Sequence, residues 1–166
     1  MHTKQHAKSK SGPQDEGRKV VARNKVARAR YEIENVIETG IELRGTEVKS
    51  IRSGGANLRD SYADVRNGEV FLENCHIAPY SFSNRFNHDP LRTRKLLLHR
   101  REINKLIGKV AEKGYTLVPL EIYFTPRGKA KVSLGVGKGK KLFDRRETIR
   151  RRDINRDMQR EIHGRR

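Results

Sequence analysis

Between Tyr31 and Leu43 the odd positions read Tyr, Ile, Asn, Ile, Thr, Ile, Leu, while the even ones include Glu32, Glu34, Glu38 and Glu42. A period of two puts one face in a core and the other in water, which predicts a long strand, bent near Gly40. The next stretch, TEVKSIRSGG, spaces Val48 and Ile51 three apart and stops at Gly54-Gly55, predicting a short helix. Asn67-Gly68 divides SYADVR from EVFLENCHI. That pair favours a type I′ hairpin turn, whose two central residues both need positive φ. Asn87 to Arg94, interrupted by Pro90, reads as an irregular loop leading into Leu96-Leu97-Leu98. Ile103, Leu106, Ile107 and Val110 then share one helical face, with Gly114 as the stop. YTLVPLEIYF is a strand with apolar residues on both faces, and Pro126-Arg127-Gly128 turns it back. Beyond the turn Ala130, Val132, Leu134 and Val136 alternate with Lys129, Lys131, Ser133 and Gly135, which predicts one buried and one basic face. Five or six strands, one main helix and a short one make a mainly β chain and fit a small antiparallel barrel.

The two ends do not follow these patterns. Charge explains why: the 166 residues carry 38 Lys and Arg against 20 Asp and Glu, a net +18. Residues 1–24 hold +4, residues 25–126 another +4, and residues 127–166 hold +10. The chain therefore divides into a basic arm at 1–23, unfolded alone, a barrel at 24–137 and a basic tail at 138–166. In the tail Ile154, Met158 and Ile162 recur every four residues and Glu147 pairs with Arg151 at helical spacing. That stripe is too narrow to hold a helix by itself, so the tail is expected to fold only where phosphates meet its arginines.

An excess of this size repels itself and marks a polyanionic partner, with nucleic acid first. No apolar run is long enough to span a membrane, no lipidation motif is present, and Met1 to Lys10 lacks the apolar stretch of a secretory signal. Cys75 is the single cysteine, so no disulfide forms within the chain and no thiolate cluster binds a metal. A cytoplasmic setting follows.

Catalytic groups do not assemble. The six histidines are scattered, and Cys75-His76, adjacent on a strand, point to opposite faces. Neither a metal nor a cofactor is expected. GVGKGKK lacks the spacing of a nucleotide-binding phosphate loop. Its Gly135, Gly137 and Gly139 instead suit a hinge that lets Lys138, Lys140 and Lys141 reach RNA. Asn24-Lys25 with Arg28 and Arg30, and Arg92 with Arg94 and Lys95, form two further basic clusters. Tyr31, Tyr62, Tyr80, Phe82 and Phe86 are candidates for stacking on bases, though most of them are expected in the core.

In order, NKVARARYEIENVIETGIELRGTEVKSIRSG, NLRDSYADVRNGEVFLENCHI, DPLRTRKLLLHRREI and VSLGVGKGKKLFDRRETI closely resemble the SmpB family, bacterial partners of transfer-messenger RNA. The resemblance covers about residues 20–150. It implies an oligonucleotide-binding-type barrel and a non-enzymatic adaptor. Such an adaptor grips the tRNA-like domain of transfer-messenger RNA and enters stalled ribosomes with it, beginning trans-translation. It implies that Asn24, Lys25 and Glu38 face the tRNA-like elbow, with Leu97 and His99 on the other RNA segment. Ala29 and Arg30 depart from the His- or aromatic-containing step often found after the NK motif, so no stacking is assigned there. In the tail it implies that Gly137 to Lys141, Phe143, Asp144, Arg145 and Arg146 meet the decoding region of the small-subunit rRNA. Phe143 stands where relatives carry His or an aromatic ring. Residues beyond about 147 would follow the empty mRNA channel as a helix. Elongation factor Tu is an indirect partner, through the charged RNA, and the protein is expected to be a monomer. The rivals are a general ribosomal or tRNA-binding structural protein and a metal-dependent nuclease.

Overall fold

A computed structural model of the chain describes residues 17–83 and 86–140. In chain order the elements are β1 (Lys19–Arg23), α1 (Ala27–Arg30), β2 (Tyr31–Ile41), α2 (Gly45–Arg52), β3 (Ala56–Asn57), β4 (Tyr62–Arg66) and β5 (Glu69–Glu73). They continue with β6 (His76–Ile77), β7 (Arg94–Leu97), α3 (Arg100–Ala111), β8 (Tyr115–Phe124) and β9 (Ala130–Gly139). The arm before residue 17 and the tail from Lys141 lie outside the described residues.

β4, β5, β7, β2, β9 and β8 neighbour one another in that order, and β8 returns to β4 at Ala63 and Leu117. The sheet closes into a six-stranded antiparallel barrel, as expected of the oligonucleotide-binding type. Past that contact, β8 gives the rest of its edge to β1, from Lys19 opposite Phe124 to Arg23 opposite Glu121. β1 thus lies inside the stretch read as an arm. β3 and β6 form a separate two-stranded ribbon. Among the described residues no helix is long and apolar enough to cross a membrane.

The hairpin from β4 to β5 turns at Asn67 and Gly68, with φ of 51° and 72°. Both central residues are left-handed, as the type I′ turn requires. α3 buries Ile103 and Leu106 and half-buries Val110, but Ile107 on the same predicted stripe is exposed. β2 departs further from its pattern. A bulge between Ile33 and Asn35 adds one residue against β9 and reverses the alternation. Beyond it Ile37 and Ile41 join the barrel core, while Tyr31 and Ile33 pack outside with Ala27, Val118 and Leu120. This second, smaller core seats α1 on the barrel wall.

This outer packing takes up part of the expected basic face of β9, on which Lys131 remains. Ser133, Gly135 and Gly137 are buried, and a Cβ on Gly135 would lie 3.2 Å from both Ile33 Cδ1 and Leu120 Cδ1. The glycine-rich run is strand through Gly139, where a hinge was expected. A Cβ on Gly137 would lie 2.2 Å from the Glu32 carbonyl oxygen, so the close approach that glycine permits is to the chain's own backbone.

Candidate nucleic-acid interface

The outer wall of β2, β9, β8 and β1 carries two shallow depressions that meet at Val36. The first, of about 380 Å³, is lined by Arg18, Arg23, Asn24, Lys25 and Arg28, with Glu121 and Ser133 on its floor. Glu121 accepts from Arg18 and sits 3.2 Å from Arg23 Nε. Lys25 and Arg28 have no carboxylate within ion-pair distance among the described residues. One acid against four cations and an amide leaves this hollow with a net positive charge.

The second depression, of about 620 Å³, gathers Glu38, Leu97, His99, Glu102 and Lys131. Glu38 on β2 accepts from Lys131 on β9 and from the hydroxyl of Tyr123 on β8. The Lys131 and Tyr123 donors hold its carboxyl below the ordinary value. Burial, with the Glu38 carboxylate beside it, raises the Tyr123 hydroxyl far above its usual range. Arg18 covers the Tyr123 ring at 4.1 Å, so one polar chain runs across the wall from Lys131 through Glu38 and Tyr123 to Arg18 and Glu121. Leu97 is 51% exposed. His99 opens α3, its N–H donating to Glu102 Oε2 at 3.0 Å.

Residues far apart in sequence therefore share one face. Asn24 and Lys25 line one hollow; Glu38, Leu97 and His99 line the other. The amide of Asn24 is occupied inward, donating to the Leu58 and Pro119 carbonyls at 3.2 and 3.1 Å, which fixes the chain between β1 and α1. Arg18, Arg23, Val36, Tyr123 and Ser133 were not anticipated. The alternation of β8 and β9 could have paired Tyr123 with Lys131, but nothing local distinguishes Arg18 from the rest of the arm.

The other basic clusters fare differently. Arg94 is fully buried, donating to Glu47 at 2.8 Å and to the carbonyls of Cys75, Arg92 and Pro90. Arg92 reaches the same Glu47 carboxylate at 2.6 Å, and Lys95 pairs with Glu69. That cluster is a structural clamp and not an RNA-facing rim, because its charge is consumed internally. Lys138 lies over the Tyr115 ring at 4.5 Å, and Lys140 Nζ donates to the Arg28 carbonyl at 2.9 Å. Lys141, Phe143, Asp144, Arg145 and Arg146 lie outside the described residues.

None of the five aromatics nominated for stacking is buried, contrary to the expectation that most would be core. The core rings are Tyr123 and Phe124. Cys75 is fully buried, and burial pushes its thiol up to about 11. No group of three or more His, Cys, Asp or Glu side chains able to hold a metal ion occurs among the described residues.

A closed six-stranded barrel with a cationic outer wall defines the class, an oligonucleotide-binding-type barrel protein. Comparison with known proteins gives the family. The family model described as SmpB protein matches residues 21–164. An SsrA-binding protein from Geobacillus sp. (strain WCH70) is 60% identical over 153 residues, covering 92% of this chain and 97% of the relative. The SsrA-binding protein of Bacillus subtilis (strain 168) is 59% identical over 142 residues, 86% of this chain and 90% of the relative. A solved structure described as "tmRNA-SmpB: a journey to the center of the bacterial ribosome" superposes with a TM-score of 0.62. It is 53% identical and covers 72% of this chain and 84% of its own. The chain belongs to the SmpB family.

Proposed function

We propose that this chain is an RNA-binding adaptor that grips the tRNA-like domain of transfer-messenger RNA and carries it to stalled ribosomes for trans-translation. The observation that carries the reading is the paired depression on the outer wall. Lys25 and Arg28, which meet no carboxylate among the described residues, stand at one end, and the Glu38, Leu97 and His99 group stands at the other. Cations without carboxylates gain most from phosphate, and a shaped wall selects a folded RNA over a random strand. Relatives named for SsrA binding and a structural neighbour whose description names tmRNA, SmpB and the bacterial ribosome support it.

In this reading Glu38 acts mainly by holding Lys131 and Tyr123 in place, and Lys25 and Arg28 meet the backbone. The tail from Lys141, with Phe143, Asp144, Arg145 and Arg146, serves the ribosomal decoding region, folding as a helix in a channel without mRNA. The adaptor works in the cytoplasm as a monomer, without catalysis, and meets elongation factor Tu through the RNA.

RNA copurifying with the full chain tests the assignment: transfer-messenger RNA should dominate. Equal recovery of bulk ribosomal RNA from all ribosomes would favour a general ribosomal protein instead. Replacing Lys25 and Arg28 together with Ala should weaken binding and reduce the slope of log K against log salt by about 0.9 for each phosphate no longer neutralised. An unchanged slope would remove this hollow from the interface.

A further inference from the structure

α3 carries Arg100, Arg101, Lys105 and Lys109 against the single acid Glu102, and three of its local choices weaken it as a helix. Arg100 and Arg101 stand in the first turn, where the helix dipole favours anions. Arg101, Lys105 and Lys109 are all exposed and recur at i, i+4 and i+8, so like charges stack along one row. Gly108, three residues after Lys105, shares that exposed side, although alanine is the better helix former and nothing lies within 4 Å of an added Cβ. Local rules broken together on one surface point to function there.

Two of the four cations have no partner in the fold. Arg101 and Lys105 meet neither a carboxylate nor an aromatic ring among the described residues. Arg100 donates to the Gly68 carbonyl at 3.3 Å, and Lys109 stands 3.5 Å from Glu112 and 4.8 Å from the Tyr115 ring centroid. Glu102 is engaged by the His99 N–H.

The surroundings identify the occupant. α3 begins at the second depression, whose lining includes His99 and Glu102. It ends over Tyr115, whose hydroxyl donates to Glu34, two residues before the Val36 at which the depressions meet. The helix thus flanks the wall assigned to RNA, and an RNA seated there continues past it. Cations four residues apart on a helix repeat about every 6 Å, which suits a row of phosphates. Tyr115, the ring at the end of the row, is occupied by both Lys109 and Lys138, which leaves no platform there for unpaired bases. A cationic row without a stacking platform suits paired RNA, which proteins hold by shape and backbone.

We propose that the exposed face of α3 docks a double-stranded stem of the same RNA that fills the two depressions, with Arg101 and Lys105 on its phosphates and Gly108 letting the backbone come close. This rests on the adaptor reading. The full chain is titrated with the tRNA-like domain of transfer-messenger RNA over a series of salt concentrations. Arg101→Gln combined with Lys105→Gln should lower the slope of log K against log salt by about 0.9 for each phosphate released, and should cost at least about tenfold in affinity at about 0.15 M salt. Glutamine is a good helix former and the exchange removes like-charge repulsion, so this variant should melt no lower than the parent. Gly108→Gln fills the open face without changing charge; it should weaken binding severalfold at an unchanged salt slope, again with no loss of Tm. Cys75 is the single cysteine and is fully buried, so Asn104→Cys, on the exposed side of α3, adds one accessible thiol. An iron chelate attached there should cut the RNA by hydroxyl radicals within a paired stem. Parent-like affinity and slope in the Arg101, Lys105 double variant overturn the proposal while the adaptor reading stands. So do cuts that fall only in unpaired nucleotides or only in the ribosomal RNA of stalled ribosomes, and so does the absence of any cut, which would leave the face to an acidic protein. A parent chain that does not bind the tRNA-like RNA counts against the adaptor reading itself, and the proposal falls with it.

Discussion

Glu47 and Arg94 are both fully buried, and Arg92 leans onto the same carboxylate from the surface. A buried charge is tolerated only when fully partnered, and here each is: Arg94 also donates to three carbonyls, and Glu47 accepts from the Arg44 N–H at 2.7 Å. Glu47→Gln leaves two guanidinium groups facing a neutral amide in a sealed site. The expected cost is about 3–5 kcal/mol, read from a shifted denaturation midpoint with an unchanged slope. Burial pushes the Glu47 carboxyl up, but Arg92, the Arg44 N–H and Arg94 outweigh it and hold the group below its ordinary value. A depressed folded value means the unfolded chain takes up this proton first. The stabilisation is complete above the unfolded value, about 4.3, and is lost as pH falls through the folded one. The parent should therefore lose stability on acidification more steeply than Glu47→Gln, and parallel curves from pH 7 to 3 would show that Glu47 is not the titrating group. Sequence spacing hid this clamp, because Glu47 and Arg94 are 47 positions apart and nothing local marks either as buried.

Glycine has opposite meanings in β9 and α3, and both can be measured. At Gly137 a Cβ would meet backbone, 2.2 Å from the Glu32 oxygen and 3.0 Å from Ile33 Cα, so strand pairing itself must shift. Gly137→Ala should destabilise by about 1–3 kcal/mol. At Gly108, inside α3, nothing lies within 4 Å, and Gly108→Ala should stabilise by about 0.8–1 kcal/mol through helix propensity. Thermal melts of the two variants should move in opposite directions; a shared direction would mean the β9 contact relaxes freely. The elements themselves were largely legible: the period of β2, the Asn67-Gly68 turn, the Val48–Ile51 helix and the main helix all appear where local chemistry puts them. What the pattern missed is the bulge at Ile33 and Asn35. A period-two reading has no term for an inserted residue, so Tyr31 and Ile33 were assigned to the wrong core, and GVGKGKK read as a hinge because its glycines look like freedom. The Lys25 and Glu38 face was legible only through resemblance, since the barrel's closure is what brings the two segments together.

At the scale of the molecule, +10 of the net +18 lies in residues 127–166, so where the folded body ends decides how that charge is presented. Composition puts the boundary at Gly137. The backbone continues: Lys138 pairs with Glu32 and Gly139 with Tyr31, and the Lys140 N–H donates to the Arg30 carbonyl at 2.8 Å while its Nζ reaches Arg28. Lys140 thereby closes the end of α1, the turn that also carries Arg28 to the cationic hollow. A chain ending at Gly137 loses those hydrogen bonds and the support of α1, and should be less stable by about 1–3 kcal/mol. A chain ending at Lys140 should melt with the parent and keep affinity for the tRNA-like RNA within about tenfold, while failing to support tagging on stalled ribosomes. Comparing the two truncations separates fold from function, because weak RNA binding by the shorter chain alone traces to α1, whereas weak binding by both moves the RNA grip into the tail.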